Sequence, residues 1–248
     1  MSTDSPARFI APVALAVIVA VATIAGWHRL GLATMVIIAG SAIVAYFVWL
    51  ATAWRRPIDP SIVTKPYLVL IAMELIHMSE EQITNFPGSL RHIFEIPATF
   101  NLFTHAVLLM GGINALAILA AVGLSSRHLL VQQFAGYMVW FYVIGPGMVN
   151  FVAHVTFPIL LGSWYFSGLV TVILPTVAGV VTLVRLVQSE EAARGTHTFQ
   201  RARPCSLREF LKHPEQMSQV DMGSVPGTKM PAETQAALDV GNFALREC

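Results

Sequence analysis

Six apolar runs, each close to the length that crosses a bilayer, constrain this chain more than any other feature. A spanning helix needs roughly 20 largely apolar residues to cross ~30 Å of hydrocarbon, because lipid offers no partner to backbone N–H and C=O groups. The runs cover residues 9–26, 32–54, 66–81, 100–124, 129–155 and 165–187. They predict an all-α, polytopic transmembrane helix bundle of about six spans over 9–187, with residues 1–8 as a short cytoplasmic tail. At 55% hydrophobic and 12% charged residues, most of the chain is suited to an apolar solvent. No small-residue cleavage site stands out after the first run, which is therefore read as a retained span and not a signal peptide.

Orientation follows from the basic residues beside the spans, which favour the cytoplasmic side. With both termini cytoplasmic, Arg8, Arg55, Arg56, Lys65, Arg127, Arg185 and Arg194 lie inside and only Arg29 and Arg91 outside, as expected of a multi-pass protein of the cell membrane. A net charge of +1 provides no basic surplus for phosphates, so nucleic acid is excluded as a partner. Residues 188–248 turn polar and proline-interrupted, predicting a mostly irregular soluble cytoplasmic tail. Short helices are expected there after Ser206, whose spacing to Glu209 fits a capping box, and over 231–247. Cys205 and Cys248 show neither zinc nor disulfide spacing.

The third run is the most polar, because it ends in Glu74, His77, Glu80 and Glu81. At 100° per residue these fall within about a third of the helix circumference. Asn101 and His105 on the fourth run and Asn150 and His154 on the fifth each repeat an i, i+4 spacing, so each pair stacks on one face. Counted along the helices, these sets can meet in the outer half of the bundle, where Tyr165 and Ser167 at the start of the sixth run could line the same chamber. Gly145, Pro146 and Gly147 predict a kink in the fifth run. Like Gly111-Gly112, they would permit close helix contacts within one chain or between two, a possible homo-oligomer. Asn114 lies on another face and reads as a helix-to-helix hydrogen bond. Residues 82–99 form a long outer loop that could be a lid or an ordinary interfacial turn.

Ionisable groups are expensive in hydrocarbon, at roughly 3 kcal/mol each on insertion scales, and persist mostly at functional cavities. A lone buried histidine is ordinarily explained by a helix-to-helix hydrogen bond. Three histidines and adjacent carboxylates at one depth suggest more. Imidazole with carboxylate is a good ligand set for a divalent metal, zinc or iron, with His77, Glu81, His154 and His105 as candidate ligands. Glu80 is then the candidate general base or acid, and Glu74, Asn101, Asn150 and Tyr165 are candidates to orient ligands or meet substrate. The reading is a metal-dependent membrane enzyme acting on a lipid-like substrate drawn from the membrane, with hydrolysis the natural reaction. Two other readings stay open: metal-free acid-base isomerisation or cyclisation of a terpenoid or sterol, and proton-coupled transport through the broken fifth helix.

At His77-Met78-Ser79-Glu80-Glu81 the sequence resembles the HXXEE family of integral membrane proteins, which is named for that motif. The resemblance covers about 66–187 and includes Asn150 to His154 and the aromatic-plus-glycine stretch Tyr165-Phe166-Ser167-Gly168-Leu169. It departs from the family where Phe166-Ser167-Gly168 lacks a proline before the glycine. It implies a membrane-embedded helical core with the first two spans and the tail as additions, and it implies no reaction.

Overall fold

A computed structural model describes residues 7–54 and 56–201, and the compact helical unit runs to Phe199. The described residues are helical, with no strand, and six helices are long and apolar enough to cross a membrane. They are α1 (Ala7–Leu30), α2 (Leu32–Ala51), α3 (Pro60–Ile83), α5 (Leu102–Gly123), α6 (Leu129–Leu161) and α7 (Ile173–Arg201), with a short α4 (Phe86–Arg91) between α3 and α5. Tight connections make successive spans antiparallel neighbours: Gly31 at φ 82° links α1 to α2, and 124–128 link α5 to α6. The segments in which short tail helices are expected, 206–211 and 231–247, lie outside the described residues.

α3 determines where the site can form. It starts at Pro60, six residues before the expected boundary, because the Asp59 carboxylate caps it by accepting from Ser61 N at 2.8 Å and Pro60 suits the first helical position. Asp59 N also donates to Ser189 Oγ at 2.8 Å, tying this end to α7 beyond the expected end of the sixth span. The buried residues of α3 are Val63, Tyr67, Leu70, Ile71, Glu74, His77, Met78 and Glu81, a single stripe at helical spacing. Its first half packs into an aromatic and aliphatic core with Trp49, Tyr142 and Val139. Its second half keeps the same periodicity but carries acid and imidazole. Since the helix starts earlier, Glu81 lies two residues from the helix end, nearer one end of the bundle than the expected depth.

Three further segments depart from the sequence reading. The sixth span begins at Ile173 and not at Tyr165: α6 ends at Gly162 in the left-handed region, φ 61°, and Gly168 at φ 88° bars helix, leaving 163–172 as a non-helical strap. The long loop folds into α4, started by Asn85 at φ 58°, whose side chain accepts from Gly88 N at 3.2 Å. Arg91 at the end of α4 then donates to Phe100 O at 2.7 Å. Finally, α5 and α6 each contain a π-helical stretch, His105–Ile113 and Gly145–Val149. The second falls on the expected Gly-Pro-Gly break, where the missing Pro146 N–H makes i→i+5 bonding the local solution.

Of the glycines expected to bring helices together, Gly147 does so: a Cβ placed on Gly179 would lie 2.7 Å from Gly147 Cα. Gly111 and Gly112 meet only backbone carbonyls of their own helix, Ala106 O and Val107 O, since the π-helix has turned them away from neighbouring spans. Gly179→Val should force α6 and α7 apart and destabilise the protein by about 1–3 kcal/mol, the usual overpacking penalty. Gly111→Ala should change stability far less. Thermal unfolding of both variants in one detergent checks the ranking.

Candidate metal centre

Glu81 is the hub. Its side chain is almost fully buried, and three fully buried histidines surround it. Oε1 lies 3.5 Å from His77 Nε2 and 3.0 Å from His154 Nε2, and Oε2 lies 2.9 Å from His105 Nε2. α3 supplies His77 one turn below Glu81, α5 presents His105 where its π-helix begins, and α6 presents His154 after its own π-helix. The His77 and His154 rings pack edge to face, with centroids 4.8 Å apart. One ligand atom from each of His77, Glu81 and His154 lies within 4.8 Å of the others, so this buried group is able to hold a metal ion. His105 takes the far oxygen and stands outside that group, in place of the expected fourth ligand.

Hydrogen bonding assigns the ring protons. Thr171 Oγ1 donates to Glu80 Oε2 at 2.6 Å, so its only hydrogen is engaged. His77 Nδ1 lies 3.3 Å from Thr171 Oγ1 and must be the donor there, so in the neutral ring His77 Nε2 is a bare lone pair facing Glu81. Gln82 Nε2 donates to Leu102 O at 3.3 Å, turning Gln82 Oε1 towards His105 Nδ1 at 2.9 Å, and this nitrogen too must donate. His105 Nε2 and Glu81 Oε2 are then two acceptors 2.9 Å apart, a contact that requires a shared proton or a cation. Neither nitrogen of His154 has an aligned hydrogen-bond partner, although Nε2 is 3.0 Å from Glu81 Oε1. Outer hydrogen bonds that fix a ring whose inner nitrogen faces the centre, as at His77 and His105 though not at His154, are common around a bound metal.

The strap closes this ring. Glu80 projects away from the cluster and accepts four hydrogen bonds from the strap: Tyr165 Oη at 2.9 Å and Val170 N at 3.3 Å on Oε1, and Thr171 N at 2.8 Å and Thr171 Oγ1 on Oε2. Glu80 is thus a clamp, with no oxygen free to act as the expected general base beside the ring. The clamp lays Gly168 flat against the imidazoles. A Cβ there would come within 2.6 Å of His154 Cε1, 2.8 Å of His77 Cε1 and 3.0 Å of Glu81 Cγ, and φ 88° disfavours any side chain. Around the rim Phe86 stacks near His105 and His154, and Phe166 packs on Phe86, His154 and Phe157. Aromatic rings thus line this side of the hub.

The remaining candidates divide. Glu74 is buried below His77 on the same stripe, and its Oε2 has no partner. Asn150 is half-buried and makes no bond to His154; the i, i+4 spacing aligns the two but its side chain borders the neighbouring cavity instead. Asn101 is exposed and caps the start of α5 by accepting from Thr104 N at 3.0 Å, so it supports the helix bearing His105 and touches no ligand. Asn114 bridges helices as read, accepting from Tyr142 Oη at 2.8 Å. Sequence reasoning missed Gln82 and Thr171. Gln82 sits beside the motif but off the buried stripe, and Thr171 was taken for part of an apolar span.

Compared with protein-family models, curated proteins and solved structures, the chain matches none.

Tyr165 lies outside the spans. Burial first, and then its bond to the Glu80 carboxylate, raise its phenol pKa above the ordinary 10.0. A raised pKa means that the clamp contributes stability fully below pH 10.0 and loses it as pH climbs through the higher folded value. The ultraviolet titration difference between wild type and Tyr165→Phe should therefore have its midpoint above 10.0. A midpoint at or below it would mean that the phenol is not engaged by Glu80.

Proposed function

We propose that the protein is a metal-dependent membrane enzyme that hydrolyses a lipid-like substrate, with His77, Glu81 Oε1 and His154 holding zinc or iron(II). The observation that carries this reading is the bare Nε2 of His77, fixed by the Thr171 contact, meeting His154 Nε2 on one carboxylate oxygen. Zinc–nitrogen bonds of about 2.0–2.1 Å in a tetrahedral shell separate neighbouring ligand atoms by roughly 3.3 Å, bracketed by the 3.0 and 3.5 Å contacts here. Two histidines and one carboxylate leave a fourth position open, as catalytic rather than structural sites do.

A divalent ion bound there would supply a Lewis acid for a carbonyl or phosphoryl oxygen and activate a water. The chain's own residues divide the other tasks. A proton filling the 2.9 Å contact between Glu81 Oε2 and His105 would make this pair the nearest exchangeable proton for a leaving group. Gln82 holds His105 in place, and Glu80 through Thr171 holds His77. The largely apolar surroundings strengthen each of these electrostatic contacts. We also propose that the open end of the centre faces the outer leaflet, both termini being cytoplasmic, and that the chain is kin to the HXXEE family, on the strength of the residues that make up the hub and strap.

Elemental analysis after chelator-free purification should find about one zinc or iron per wild-type chain, and none in folded His77→Ala, His154→Ala or Glu81→Gln. Thr171→Val frees the His77 tautomer and should weaken metal affinity about 10–100-fold while leaving a saturable site. Metal-loaded protein should release fatty acid from a panel of lipid esters and amides. Folded wild type that stays metal-free after incubation with zinc and iron sinks the metal reading and favours the acid-base alternative, which the shared Glu81–His105 proton would serve on its own. Movement of protons or solute across sealed vesicles without chemical change in any lipid would sink both.

A further inference from the structure

A cavity of about 80 Å³ lies beside the centre, with Glu81 and His154 in its wall. It runs between α2, α3, α5 and α6, and its lining is overwhelmingly apolar. Both π-helical stretches border it, through Leu109 and Ile113 on one side and Gly145 and Pro146 on the other. Two regular helices thus become irregular at the cavity wall, as π-bulges often do at functional sites.

Apart from Glu81 and His154, the charged group in that lining is Glu74. It is 2% exposed, borders the cavity, and its Oε2 has no hydrogen-bond partner. Thr34, 4% exposed on α2, borders the same cavity with an equally unpartnered Oγ1. Glu74 precedes Glu81 by seven residues on the buried stripe, two helical turns or about 10 Å along α3. A carboxyl oxygen left unpaired against hydrocarbon is strongly unfavourable, so what fills the cavity should bring a hydrogen-bonding group to that depth.

We propose that this cavity binds a single-chain, lipid-like molecule carrying a neutral hydroxyl, the chain lying along α3 with its reactive group at Glu81 and His154 and its hydroxyl at Glu74. The placement of the reactive group rests on the enzyme reading above; the Glu74 contact does not. The narrow cavity, about 80 Å³, favours a single chain over a fused ring system or two acyl chains. Glu74 selects the hydroxyl, which donates to a carboxylate and accepts from a carboxylic acid, and so satisfies the side chain in either state. A plain hydrocarbon would leave Oε2 unpaired. An ammonium group would have to shed its hydration into a mostly apolar wall, a desolvation cost that a neutral hydroxyl largely avoids.

The test compares 8-hydroxyoctanamide with octanamide, two uncharged probes differing only in a hydroxyl about two helical turns from the amide. Binding is measured by calorimetry to wild-type protein in nanodiscs, both as purified and after chelator treatment. Wild type should bind the hydroxyamide about tenfold more tightly, one hydrogen bond's worth. Glu74→Leu should lose the preference, and Glu74→Gln should keep it. The preference should survive chelation, since Glu74 is not a ligand. Equal affinities in wild type, failure of both probes to bind, or a preference retained in Glu74→Leu would each overturn the proposal. The wild-type comparison decides even if Glu74→Leu does not fold. A hydroxyl preference in protein that never takes up metal would uphold this site while rejecting the metal reading.

Discussion

The architecture at this end of the bundle depends on keeping one carboxylate, Glu81, inside an apolar interior. An isolated ion there would be costly by several kcal/mol. What makes it tolerable is a proton or a cation held between it and the imidazoles that three helices bring, His77 from its own turn, His105 from α5 and His154 from α6. The requirement acts on the rest of the fold. α3 has to end just beyond Glu81, and the helices bearing the other two histidines have to converge on that end. Their π-helical stretches fall next to those histidines, where a regular helical register gives way to one that widens the turn.

Satisfying the carboxylate does not complete the site, because each imidazole has a second nitrogen. Gln82 and Thr171 take the outer nitrogens of His105 and His77, and Thr171 is itself fixed by Glu80. Two adjacent glutamates on one helix therefore have opposite roles: Glu81 faces inward and gathers lone pairs, while Glu80 faces the strap and gathers N–H and O–H donors. Gly168 makes the closure possible, since any Cβ would push the strap off the rings. The Glu80 clamp and the Gly168 contact are parts of one device, because the first provides the pull and the second permits the approach.

Much of this was legible in the sequence, for identifiable reasons. Spans were legible because hydrocarbon demands about 20 apolar residues, a signal that six stretches of the described residues carry. The convergence of His77, Glu81, His105 and His154 was legible because helical spacing and antiparallel order together fix face and approximate depth. The strap was not. Residues 165–172 run without a charge into the apolar span that follows, and Gly162 and Gly168 at positive φ, which hydropathy does not register, set them apart. Mistaking the strap for helix hid Thr171, and without Thr171 there was no reason to take Glu80 out of the chemistry. Asn101 and Asn150 illustrate the converse error: i, i+4 spacing guarantees a shared face, but a side chain on that face can cap a helix or border a cavity as readily as orient a ligand.

The buried stripe of α3 joins the hub to the neighbouring cavity. Tyr67, Leu70 and Ile71 are ordinary core; Glu74, His77 and Glu81 continue their periodicity with groups that core packing does not need. The hub explains His77 and Glu81, since each has partners there. Glu74 has none on Oε2, and it shares the cavity with a second unpartnered oxygen on Thr34. If Glu74 served stability alone, its neighbours would be expected to supply a donor, as Tyr142 does for Asn114 in the same layer. Instead Tyr142 gives its hydroxyl to Asn114 while lining the cavity with Glu74. A polar group left unpaired beside a void, on the same helix face as a converged ligand set, is better explained by a molecule that enters than by the packing of the chain alone.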